Sequence, residues 1–151
     1  EQLLDMTDRS GWAEVNAPSS TNRACLLPIP DTNSVAIGEF YSGTPVKVMQ
    51  EQGDWCQIEI GTDGRITGWM PIEHLAFGNE MDEVMCAFPQ LILLQDDHDG
   101  RNMFTSTDMK EMCSVDGALW IVGVIDDMYI ILTPFGQTAF APMDWFSEGN
   151  G

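Results

Sequence analysis

Gly53-Asp54-Trp55-Cys56-Gln57-Ile58-Glu59-Ile60, followed by Gly68-Trp69-Met70-Pro71-Ile72-Glu73-His74-Leu75, is the passage on which the fold turns. The Gly-Asp pair predicts a tight turn that opens a strand, because glycine accepts the backbone angles a sharp reversal needs. Alternation along that strand puts Cys56, Ile58 and Ile60 on one face and Trp55, Gln57 and Glu59 on the other. The first face has no polar member, so it is the core face, and Trp55 points outward. An outward indole serves either as a recognition anchor or as a surface covered by another part of the chain. The second stretch reads as a strand that runs into a short, Pro-started helical turn.

The neighbouring sequence repeats this grammar. Ala24-Cys25-Leu26-Leu27, Val35 to Phe40 and Val46-Lys47-Val48-Met49 are short apolar or alternating runs, separated by Pro28, Pro30, Asp31 to Ser34 and Tyr41 to Thr44. Thr62-Asp63-Gly64 supplies a hairpin reversal of the Asp-Gly kind. Strands of this length and spacing predict an all-β barrel or sandwich. A weaker echo follows in Asp127 to Leu132 and in Ala139 to Phe146, which aligns Trp55 with Tyr129, Trp69 with Phe140 and Pro71 with Pro142. A shorter turn at Pro134-Phe135-Gly136 accounts for the drift in spacing between these pairs.

The expected architecture is therefore all-β, with two small barrels packed in tandem. Residues 1–22 read as a lead-in, 23–78 as the first unit, 79–83 as a linker and 84–147 as a degenerate second unit. Trp12 is expected to pack on a barrel end. In the second unit Met128, Ile130 and Leu132 point inward. Tyr129, Ile131 and Thr133 point outward onto a face covered by the first unit or by a partner subunit. Thr105 to Met112, with small polar residues and acids at its start, predicts a short helix.

Charge narrows the function. The 151 residues carry 24 acids against 6 lysines and arginines, a net charge of −18. That excess repels nucleic acid, anionic lipid surfaces and anionic polymers, and it also keeps an exported protein soluble. No stretch is apolar and long enough to span a bilayer, so direct membrane insertion is not expected. The sequence begins at Glu1, which reads as a trimmed or mature terminus, so the lack of a visible signal peptide says nothing of location.

Cys25, Cys56, Cys86 and Cys113 lack the paired spacing of a zinc site and read as free thiols or as two disulfides. Asp96-Asp97-His98-Asp99-Gly100 does not fit a calcium loop, since Gln95 would stand at the first ligand position and Ser106 at the last. Neither His74 near Cys56 nor His98 near Cys113 makes an activated nucleophile. No catalytic residue, metal or cofactor is expected.

Residues Arg23 to Gly78 resemble a bacterial SH3-like domain. The resemblance rests on Gly43-Thr44-Pro45-Val46-Lys47-Val48, Gly53-Asp54-Trp55-Cys56 and Gly68 to Leu75, with Asp31 to Gly38 fitting the turn before the second strand. It implies a bacterial exported or cell-envelope protein with a non-catalytic binding role, one that recognises a peptide, a peptidoglycan component or another protein through an aromatic groove. Carried over by motif, the groove residues are Tyr41, Trp55, Trp69, Pro71 and His74. The second unit offers Tyr129, Phe140, Pro142 and Trp145. Two rival readings stay open: an assembly subunit with no small ligand, and an accessory targeting domain of a cell-wall hydrolase.

Overall fold

The computed structural model describes residues 11–18, 20–93, 101–106, 108–115, 119–134 and 136–148, and among these described residues short β-prone runs between turn residues form fourteen strands. The first half contributes β1 (Trp12–Val15), β2 (Arg23–Leu26), β3 (Gly38–Tyr41), β4 (Pro45–Gln52), β5 (Trp55–Ile60), β6 (Ile66–Pro71) and β7 (Leu75–Phe77). The second half contributes β8 (Leu91–Leu93), β9 (Arg101–Phe104), β10 (Met112–Val115), β11 (Trp120–Ile125), β12 (Met128–Leu132), β13 (Thr138–Pro142) and β14 (Phe146–Glu148). A 3-10 turn precedes the last strand of each half, at Ile72–His74 and at Met143–Trp145. Another, at Gly78–Glu83, joins the halves; its Glu80 carboxylate accepts the Phe77 N–H at 3.0 Å. The all-β expectation holds.

The strands form a five-stranded antiparallel sheet in the order β6-β5-β4-β1-β7, a seven-stranded one in the order β10-β9-β13-β12-β11-β3-β2, and the pair β14-β8. Among the described residues, none of these sheets closes on itself. The seven-stranded sheet crosses from one half to the other where β3 meets β11, with Gly123 opposite Phe40 and Val124 opposite Glu39. Only glycine fits at that seam: a Cβ on Gly123 would stand 2.5 Å from the Glu39 carbonyl oxygen and 2.8 Å from the Phe40 ring.

The core is shared in the same way. Its larger cluster joins Val15, Leu26, Phe40 and Ile58 to Val122, Ile130 and Leu132. A smaller one gathers Met103, Ile121, Ile131, Ala139 and Ala141, with Tyr41 packed against it. Both faces of β12 are thereby buried. Packed against the cluster that holds Ile131 are Leu91, Trp145 and Phe146 of the second half and Tyr41 of the first.

Polar contacts lock the halves together. The Asp63 carboxylate accepts the Thr138 N–H at 2.7 Å and the Thr138 hydroxyl at 2.9 Å. Arg65 sits 3.6 Å from that carboxylate and donates to the Thr138 carbonyl at 2.6 Å. The hydroxyl of buried Thr44 donates to the Val122 carbonyl at 3.1 Å.

Several local expectations are corrected. The expected helix over Thr105 to Met112 is not found among the described residues. Those between β9 and β10 form the hairpin's turn, closed by the Thr105 N–H to the Glu111 carbonyl at 2.9 Å and by Asp108, which accepts from the Ser106 hydroxyl and the Lys110 N–H. Asp and Ser side chains that can cap a helix can equally hydrogen-bond a turn, and strand pairing decides between them here. Trp12 forms part of β1, which lies between β4 and β7 in the five-stranded sheet. The reversal around Asp63 spans residues 61–65, and 133–137 joins β12 to β13 over the same length, so no shortened turn explains the drift in spacing.

Candidate functional site

β5 alternates as its sequence requires. Cys56, Ile58 and Ile60 are fully buried, and Trp55 is half-buried on the opposite face. Gly53, at φ 60°, makes the turn that feeds it. Trp55 stands directly across from Pro71, and the Ile72 N–H donates to the Asp54 carbonyl at 2.9 Å, which fixes the start of the 3-10 turn that presents His74.

The third wall is β2. Its end is bridged to β6 by two hydrogen bonds: Leu27 N–H to the Trp69 carbonyl at 2.8 Å, and Trp69 N–H to the Leu27 carbonyl at 2.7 Å. Gly68 lets the strands cross so closely, since a Cβ there would lie 2.8 Å from both the Leu26 side chain and the Leu27 carbonyl. Beyond this bridge no further ladder pair forms between β2 and β6. The gap is a groove of about 460 Å³, lined by Trp55, Pro71 and His74 on one side and by Cys25, Leu27 and Pro18 among others on the other.

Three of the expected groove residues therefore meet: Trp55, Pro71 and His74. Two do not line it. Trp69 is 9% exposed and holds the bridge behind the groove. Tyr41 packs with the smaller core cluster, and burial pushes its hydroxyl above its ordinary pKa. Sequence reasoning read Ala24 to Leu27 as a short strand but did not place it, or the segment at Pro18, in the groove wall. The alternation of Arg23 and Cys25 with buried Ala24 and Leu26 was the available signal.

The groove is mixed in polarity. Arg23 lies 3.4 Å from Glu39, so its positive charge is already matched. His74 has its Nδ1 buried without a hydrogen-bond partner, and its Nε2 is 3.9 Å from the Glu73 carboxylate. All four cysteines are free. Burial, and after it the Glu51 carboxylate, pushes the Cys56 thiol up to about 11; burial and Glu39 likewise raise Cys25. Neither is poised as a thiolate at neutral pH. His98 and the Asp97 loop lie outside the described residues. Among the described residues no group of three His, Cys, Asp or Glu is placed to hold a metal, and no helix is long and apolar enough to cross a membrane.

The corresponding face of the second half is built differently. There the Met143 N–H donates to the Asp127 carbonyl at 2.9 Å, as Ile72 does to Asp54, so Met128 rather than Tyr129 stands where Trp55 does. Met128 is 5% exposed and faces Pro142 across the strand pair. Phe140 pairs with Phe104 as Trp69 pairs with Leu27. Trp145, in the place of His74, packs on Phe104 with ring centroids 5.7 Å apart. Tyr129 meets Phe146 edge to face at 5.4 Å.

No curated protein matches the chain. Among solved structures, an NlpC/P60 family protein from Bacillus cereus ATCC 10987 is similar at 17% identity and a TM-score of 0.39, over 90% of this chain. The chain spans 55% of that protein's length. Residues 30–76, the stretch that runs from the loop after β2 through β3 to β6 and into β7, match the family model of the bacterial SH3 domain.

Proposed function

We propose that the chain is a non-catalytic recognition module of a bacterial exported or cell-envelope protein, and that it holds a peptide, from the wall or from a protein partner, in the groove of Trp55, Pro71 and His74. The observation that carries this reading is the groove itself. A half-buried indole, a proline and an imidazole, all within the stretch that matches the bacterial SH3 domain, converge on one cavity. Aromatic surface with a polar edge is the usual material of a peptide-recognition site. The chain's net charge of −18 favours cationic or amine-bearing partners over anionic ones.

The same proposal reads the molecule as two SH3-like units, over residues 23–78 and 84–147, joined at 79–83 and packed in tandem. β1 from the preceding segment completes the first unit. In support, among the described residues each half shows seven strands with a 3-10 turn before the last. Each pairs its first strand with its last, β1 with β7 and β8 with β14.

The test is co-sedimentation with purified peptidoglycan sacculi at low and moderate salt. The full chain should pellet with the sacculi. Trp55→Ala should stay in the supernatant while its melting temperature drops by less than about 4 °C, the cost of a half-exposed side chain in a domain of this size. A Trp55→Ala variant that pellets as well as the parent would overturn the assignment.

A further inference from the structure

We infer that the groove ligand binds by its main chain, as an added strand on the open edge of β2 at Cys25; this rests on the groove reading above. Strand polarity carries the inference. In an antiparallel ladder, successive residues turn their N–H and C=O groups to opposite edges. The Ser42 N–H donates to the Asn22 carbonyl, and the Ile37 N–H to the Leu26 carbonyl, so the even-numbered residues of this segment face β3. The backbone groups of Arg23, Cys25 and Leu27 therefore face the other way. Those of Leu27 are taken by Trp69. Those of Arg23 are met by the Thr21 hydroxyl, which donates to its carbonyl at 3.1 Å and accepts its N–H at 3.4 Å. Among the described residues, nothing meets those of Cys25.

The residue that would continue the β6 ladder opposite Cys25 is Pro71, which has no N–H to give. The two strands splay apart at that point, and the splay is the groove. Cys25 is exposed there, with one main-chain donor and one acceptor turned toward a slot lined by Trp55 and His74. An extended peptide satisfies both groups at once and lays its alternate side chains against the indole. A glycan has no regular N–H and C=O alternation with which to do so. Among the described residues, the matched Arg23–Glu39 pair leaves no free Lys or Arg in the wall to select an anion.

Backbone amide hydrogen exchange on the full chain tests this, with Trp55 fluorescence, taken as the difference between the parent and Trp55→Phe because the chain has five tryptophans, as an independent report of groove occupancy. In the free protein the Cys25 amide should exchange much faster than those of Ala24 and Leu26. The probes are the two products of amidase digestion of purified sacculi, the released peptides and the remaining glycan strands. The peptides should change Trp55 fluorescence and protect the Cys25 amide; the glycan strands should do neither. Cys25→Pro removes the slot-facing N–H without touching a β3 ladder bond, and should weaken peptide binding about tenfold. Peptides that change Trp55 fluorescence but leave the Cys25 amide unprotected would overturn strand addition while the groove reading survives. Protection by glycan alone would overturn it too. If neither fraction affects Trp55, the groove reading falls and takes this inference with it.

Discussion

In the first half Trp55 faces Pro71 across the strand pair, His74 follows on the 3-10 turn, and the space beside them is open. In the second half Met128 faces Pro142, Trp145 follows on the equivalent turn, and Phe104 fills the space beside it. The hydrogen bonds that set the two turns are alike, from Ile72 to Asp54 and from Met143 to Asp127. One backbone frame thus carries two kinds of surface. Where a large side chain reaches across the frame it becomes core, and where the opposing strand ends in small or polar groups it becomes a cleft. A pocket here comes from what is left unfilled, and the identity of two or three side chains decides it.

The largest effect should come from breaking the seam that makes the halves one body. Gly123→Val places branched carbon against the Glu39 carbonyl and the Phe40 ring, and backbone there cannot yield as a flexible side-chain tip can. We expect a loss of about 3 kcal/mol in chemical denaturation, as for severe overpacking. Both halves should unfold in one transition, because their larger core cluster is common. Two separated transitions would show that the halves hold their cores independently and that the comparison concerns two molecules in one chain.

How far the sequence reveals this molecule follows from how local each determinant is. The β5 face, the Gly53 turn and the Pro71-led 3-10 turn were legible because alternation and backbone preference act within a few residues. Trp12–Val15 was not legible as a strand, since its four residues gain their place only by pairing with Lys47 and Phe77 far along the chain. The β3–β11 seam depends on the missing side chain of Gly123, which periodicity does not register. The alignment of Trp55 with Tyr129 failed because the two halves match in hydrogen-bond position, which places Met128 where Trp55 stands, and Met128 bears less resemblance to tryptophan than its neighbour does. Trp55, Pro71 and His74, three of the five residues the motif offered, line one groove. Trp69, in the same motif, went to the bridge, and Cys25 was hidden because its part is played by main chain.

A smaller effect is expected from opening the second half. Trp145→His recreates the first half's residue at that place and removes the contact with Phe104. The loss should be about 2 kcal/mol, part buried apolar area and part aromatic pairing. Stability measured by urea titration would give this directly, and a loss below about 0.5 kcal/mol would mean that Trp145 is not what closes that face.

The smallest change in stability should accompany the largest change in function. Leu27→Phe with His74→Trp imports the Phe104–Trp145 pair into the first half. The new ring contact favours the fold and the crowding at the bridge opposes it, so net stability should stay within about 1 kcal/mol of the parent. The groove, however, would be occupied by the protein's own side chains, and capture by sacculi should vanish although Trp55 is untouched. Such a variant separates the cleft from the indole as the cause of binding. Retained capture would mean that Trp55 works as an isolated surface anchor and that the space between β2 and β6 plays no part.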